Sequence, residues 1–190
     1  LLDNSRGPAG YLLEVVIVNQ VLVMIITGFE TYCKRRFLEM EMEGRAINFE
    51  KLARRFHSKR EIDMGLMEAV KKDASEEGKT PTSLMIERGR IDFQNFDNCK
   101  RAYSTAYGIR FGRDLGISNQ VQESLQRIIQ YRHRIVHISP MIGMLNQGRV
   151  PAEEPVFPKA ELGRKALEDF DEFIRALHQA TLKVLAPNRK

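Results

Sequence analysis

Within "YRHRIVHISP", residues 131–140, six consecutive positions hold Arg132, His133, Arg134 and His137. An imidazole titrating near neutrality can take or give a proton, and a planar guanidinium can hold charge developing on a phosphate. His133 and His137 are four apart and share a helix face, the geometry of paired metal ligands. No third ligand lies nearby, so neither metal nor cofactor is expected. Arg132 and His137 are five apart, about 140° around an unbroken helix, so they do not share a face. They could converge if the helix loosens before Pro140, if the arginine side chain swings across, or if a second subunit brings its own copy alongside. The apolar stripes of the chain favour the symmetric contact. The plainer alternative is a basic helix end, stabilised by the macrodipole and by a structural ion pair.

The helix carrying these residues starts after Ser118, whose hydroxyl can satisfy early backbone donors, and should stop near His137 or Ile138, because Pro140 disfavours helical geometry at Ser139. Val121, Leu125, Ile128, Ile129, Ile135 and Val136 form its apolar stripe, with Arg132 near the middle. A guanidinium placed there needs a carboxylate, a wet interface or a phosphate, and Glu30 is the candidate intramolecular partner.

The remaining elements are also helical in pattern. A first long helix runs from Pro8 to about Met42, ending before Gly44, with Phe29, Tyr32, Cys33, Phe37 and Met40 on one face. Its stretch "YLLEVVIVNQVLVMIITGF" is interrupted by Glu14, Asn19 and Gln20, so its apolar run is shorter than the roughly 20 residues a bilayer needs, and a buried or dimer-forming helix is expected. "NFEKLARRFH" and "DMGLMEAVKKD" read as short helices, and "SEEGKTPTS" as a loop. "DFQNFDNCKRAYSTAYG" reads as a third core helix closed by Gly108. After a long loop or small hairpin, Pro158 opens a last helix with Leu162, Ala166, Phe170, Phe173, Ile174, Leu177 and Thr181 on one face. The fold expected is an all-α bundle in a single domain, with core helices at about 10–43, 93–138 and 158–185. A helical insertion at about 44–92 follows the first long helix.

With 190 residues, 43% hydrophobic and 29% charged, the chain suits one well-filled domain. A formal charge of +5 and a pI near 9.3 incline its surface towards polyanions. Cys33 and Cys99 fit no CxxC spacing, which argues against a disulfide framework or a cysteine zinc site and points to a reducing cytoplasm. No signal-peptide pattern is apparent, and the start at Leu1 suggests that the true beginning is missing. Basic residues lie beside aromatics in "CKRRF", "KLARRFHSKR" and "NCKRAY", a combination suited to phosphate contact with base stacking. Lys34, Arg35, Arg36 and Arg134 are the candidate RNA contacts, whereas His57 and His178 are expected on the surface.

"RHRIVH" resembles the Arg-x4-His signature of the HEPN superfamily, with His133 at the commonly polar position after the arginine. "FETYCKRRF" following an apolar first helix is also similar to such proteins, and the resemblance covers about residues 10–43 and 93–185. It implies an antiparallel helical bundle with the motif near the end of a core helix, and metal-independent cleavage of single-stranded RNA in the groove of a homodimer. His137 would then serve proton transfer at the ribose 2′-OH or the leaving 5′-oxygen. Arg132 would stabilise the phosphate, and His133 or Arg134 would position the backbone. The product implied is a 2′,3′-cyclic phosphate. Such proteins often act as toxins or in defence against phage, so an antitoxin or a nucleotidyltransferase is an implied partner. Two other readings stand beside this one: a catalytically silent module binding RNA, a nucleotide or a partner protein, and a helical scaffold belonging to a longer chain.

Overall fold

The computed structural model describes residues 8–45, 47–137 and 160–184, and the side chains within them except those of residues 8–12, 133, 134, 136 and 137. The fold is an all-α helical bundle. Its described elements are α1 (Pro8–Met42), α2 (Phe49–Phe56), α3 (Lys59–Asp63), α4 (Leu66–Glu76), α5 (Pro81–Glu87), α6 (Phe96–Tyr107), α7 (Phe111–Asp114), α8 (Asn119–His137) and α9 (Ala160–Lys183).

Local chemistry accounts for most of these boundaries. Gly44, at φ 80°, turns the chain after α1 so that the Arg45 N–H reaches the Met40 carbonyl at 3.0 Å. Ser58 and Glu61 form a reciprocal capping box on α3, and Gly65, at φ 84°, separates α3 from α4. "DMGLMEAVKKD" is therefore not one helix. Thr80 caps α5 by accepting from the Ser83 N–H at 3.1 Å, and Pro81 sits in its first turn. Part of the loop expected over "SEEGKTPTS" is accordingly helical. Asn95 caps α6, and Gly108 closes it in the left-handed conformation. The expected cap of α8 is present, with Ser118 Oγ accepting from the Val121 N–H at 3.2 Å.

The chain divides into two compact units, and both α1 and α9 contribute to each. The first takes residues up to Phe29 together with Ser118–Phe173. Its core draws Leu22, Ile26 and Phe29 from α1, Leu125 and Ile128 from α8, and Ala166, Phe170 and Phe173 from α9. The Phe29 ring meets Phe170 edge-on at 5.5 Å and lies 5.5 Å from Phe173. A Cβ on Gly163 would stand 3.7 Å from Val21. Because 21 meets 163 while 29 meets 170 and 173, α1 and α9 run in the same sense here, and the antiparallel order expected for the bundle does not describe this pair.

Asp169 is buried between α8 and α9, accepting from Ser124 Oγ at 2.6 Å and from Lys165 Nζ at 2.6 Å. Asp169→Ala is expected to lower stability by about 1–3 kcal/mol, because Ser124 would lose its partner where water is scarce. Urea unfolding of the two proteins measures this, and equal midpoints would refute it.

The second unit takes Glu30–Ile117 with the residues from Ile174 onward. Phe37 is at its centre, with ring centroids 5.4 Å from Phe93, 5.3 Å from Tyr103 and 5.0 Å from Tyr107. Two buried phenols bond to the α1 backbone: Tyr103 donates to the Cys33 carbonyl at 2.8 Å and Tyr107 to that of Phe37 at 2.6 Å. Residues 44–92 supply Leu52, Val70, Ala74 and Met85 to the buried interior, and α2 packs against α6. The insertion thus shares a core with the helices around it.

By length and composition, α1 suffices to cross a bilayer over Leu13–Met42. This differs from the expectation drawn from its interrupting polar residues. Val15, Val18, Leu22, Ile26 and Phe29 are buried in the first unit, as in a core helix, whereas Leu13, Ile17 and Met24 are exposed.

Candidate functional site

α8 remains helical to His137, so the backbone presents Arg132 about a turn and a third before the end. Val121, Leu125, Ile128, Ile129 and Ile135 are buried as the stripe requires. Arg132 follows Ile128 by four positions and precedes Ile135 by three, and it is half-buried. Its Nε is buried, so the guanidinium is not simply held out in solvent. The side chains of His133, Arg134, Val136 and His137 lie outside the described residues, as do Pro140 and the long loop expected after it.

Two turns earlier, about 12 Å along α8, Ser124 is bonded to Asp169. That carboxylate is already satisfied by Ser124 and Lys165. The first unit also buries two amide atoms without hydrogen-bond partners, Oδ1 of Asn19 and Nε2 of Gln122. Glu30, expected as the partner of Arg132, accepts from Gln94 Nε2 at 3.1 Å.

The candidate RNA contacts on α1 differ among themselves. Lys34 is half-buried beside a shallow cavity lined also by Glu30, Asp92 and Gln94. Arg35 is exposed and paired with Glu39 at 2.8 Å. Arg36, expected to face RNA, turns inward, with its side chain only 5% exposed. Its Nε donates to Thr181 Oγ1 at 2.9 Å, and its two terminal nitrogens donate to Glu43 at 2.6 and 3.1 Å. The pair shifts both groups, raising the guanidinium and holding the Glu43 carboxyl below its usual range. Arg36 is therefore a structural clamp between α1 and α9.

His178 is exposed as expected, but its Nδ1 lies 3.0 Å from the Tyr32 hydroxyl across a gap of 146 residues. Burial pushes the Tyr32 phenol up to about 12. The pair borders a shallow pocket with Ile174 and Arg175. Nothing local in the sequence signals a contact between elements this distant.

His57 overturns the surface assignment, because its side chain is 2% exposed and neither ring nitrogen has a hydrogen-bond partner. Glu61 lies 3.8 Å from its Nδ1 and pairs with Arg90 at 3.4 Å. Burial lowers the imidazole pKa from the ordinary 6.5, with Arg90 adding to the shift and Glu61 opposing it. The folded protein therefore binds this proton less tightly than the unfolded chain does. Stability from this group is fully present above the unfolded value of 6.5 and is lost as pH falls towards the lower folded value. Melting temperature should drop between about pH 7 and about pH 5, and the drop should shrink in His57→Leu. Equal drops in the two proteins would remove His57 from the explanation.

Neither a known protein family, nor a curated protein, nor a solved structure matches this chain.

Proposed function

We propose that the chain is a metal-independent endoribonuclease of HEPN type, cleaving single-stranded RNA at a site assembled by two copies from Arg132 and His137. The observation that supports this reading is a core helix, α8, unbroken to His137 with a half-buried arginine five residues before its end. Because the two residues lie about 140° apart on one helix, a symmetric pair of helices brings together what a single helix separates.

In the reaction, the ribose 2′-oxygen attacks the adjacent phosphorus while its proton passes to a base. The bond from phosphorus to the 5′-oxygen breaks, and that oxygen takes up a proton. His137 handles one or both proton transfers. Arg132 neutralises charge on the non-bridging oxygens, a role suited to a planar fork of donors. His133 and Arg134 position the strand, with Lys34 and Arg35 as outer contacts. The products are a 2′,3′-cyclic phosphate and a 5′-hydroxyl. A toxin or phage-defence role in the cytoplasm, restrained by an antitoxin or a nucleotidyltransferase, suits such an activity.

The test is incubation of an end-labelled single-stranded RNA with the purified chain in EDTA, with the product ends identified and the oligomeric state measured alongside. A dimer yielding cyclic phosphate ends is the expected result. A folded dimer that leaves the RNA intact would overturn the nuclease reading in favour of a silent binding module, and a monomer at micromolar concentration would remove the composite site.

A further inference from the structure

The chain carries a surplus of five positive charges, and its described cations are unevenly engaged. Around α4 and α5, Lys71, Lys72, Lys79 and Arg88 each pair with a carboxylate, from Glu68, Glu76, Glu87 and Asp73 respectively. On α2, α3 and α6 the pattern reverses. Lys51, Arg55, Lys59, Arg60, Lys100 and Arg101 are all exposed, and among the described residues none of their side chains has an ion-pair or hydrogen-bond partner. These helices are neighbours, since α2 packs against both α3 and α6. Of their carboxylates, Glu50 is held by Arg54, and Glu61 by Ser58 and Arg90. Asp97 is engaged as well, which among the described residues leaves Asp63 to set against six cations.

Such an arrangement disfavours the fold. Lys51 and Arg55 are four apart on α2, a spacing at which like charges destabilise a helix, and the neighbouring helices add more charge of the same sign. A polyanion reverses that cost by neutralising the cations and releasing its counterions. Of the aromatics on these helices, Phe96, Tyr103 and Tyr107 are buried in the core, and Phe49 and Phe56 are half-buried. No ring stands fully exposed for stacking, so contact on this face is with phosphates rather than bases. We infer that the face formed by α2, α3 and α6 docks the sugar-phosphate backbone of a single-stranded RNA without regard to its sequence. The choice of RNA as the polyanion rests on the nuclease reading above; the surface itself is separate from the Arg132 and His137 motif.

The experiment measures binding of fluorescent single-stranded oligoribonucleotides, one rich in A and one in U, by anisotropy over a series of salt concentrations. The parent protein carries His137→Ala and is kept in EDTA, so that binding is read without cleavage. Three double variants each remove two positive charges: Lys51→Gln with Arg55→Gln, Lys100→Gln with Arg101→Gln, and, as a charge-matched control, Lys71→Gln with Lys72→Gln. The first two should each weaken binding about tenfold at low salt and flatten the dependence of log affinity on log salt by roughly 1.4, at about 0.7 for each lost phosphate contact. The control should stay within about twofold of the parent, and the A-rich and U-rich strands should behave alike. Equal weakening in all three variants would reduce the effect to net charge and overturn the proposal. Binding of phosphatidylserine vesicles with RNA left unbound would overturn it too. Cleavage by the wild-type chain with the platform variants binding normally would sink the platform and keep the nuclease. Selective loss of binding in the platform variants, with no cleavage by the wild-type chain, would do the reverse.

Discussion

His137→Ala is expected to slow RNA cleavage by about 10²–10⁴-fold, the usual contribution of a positioned general acid or base, while leaving the helical circular dichroism signal unchanged. His137 is the last residue of α8, and a cation at a helix C-terminus contributes about 0.3–1 kcal/mol. A small change in melting temperature with a large change in rate is the signature expected. Arg132→Ala should cost about 10²–10³-fold, the scale for removing one donor to a developing oxyanion. Arg132→Lys should recover only part of that, because an ammonium keeps the charge but loses the planar fork. If the two residues serve one transition state, the double variant should be little slower than the worse single variant. Multiplicative losses would instead mean that Arg132 acts in binding RNA while His137 acts elsewhere, and unchanged rates in both single variants would remove the motif from the chemistry.

The extent of α8 was readable because its signals are local: a serine before the stripe, and a proline whose ring constrains the residue before it. α1 and α6 were readable for the same reason, through Gly44 and Gly108. The pattern failed where one residue type has two meanings. Pro81 marks a loop as often as it opens a helix, and only its position after the capping Thr80 selects the second. Side-chain direction was less legible still. A basic run suggests a wetted face, yet Arg36 points inward to Glu43, just past the end of its helix, and to Thr181, 145 positions away. His57 sits in an equally polar run and is buried by tertiary packing that no periodicity records. For the proposed site, the order of residues along α8 was legible, but convergence of Arg132 with His137 depends on a second copy and so on a surface rather than on a spacing.

Phe37→Ala is the substitution expected to damage the fold most. The side chain is fully buried, and it meets Phe93, Tyr103 and Tyr107 edge-on at ring separations between 5.0 and 5.4 Å. Truncation removes the apolar transfer energy, opens a cavity among rigid rings and abolishes three aromatic pairs at once, which places the cost at about 3–5 kcal/mol. For a chain of this length, such a loss lowers the melting temperature by roughly 6–20 °C. Phe37→Leu retains most of the volume and should cost far less, so the difference between the two variants separates the cavity from the lost ring pairs. Tyr103→Phe isolates a third contribution, because it keeps the ring but loses the bond to the Cys33 carbonyl, at about 1 kcal/mol. The chain has no tryptophan, and three of its five tyrosines, Tyr32, Tyr103 and Tyr107, belong to the unit built around Phe37. Near-ultraviolet circular dichroism therefore reports mainly on that unit. A tyrosine signal that melts earlier in Phe37→Ala, with the far-ultraviolet helix signal melting later, would mean that the two units unfold separately. Coincident melting of both signals would make Phe37 a determinant of the whole chain's stability, and an unchanged melting temperature would refute its central place in the core.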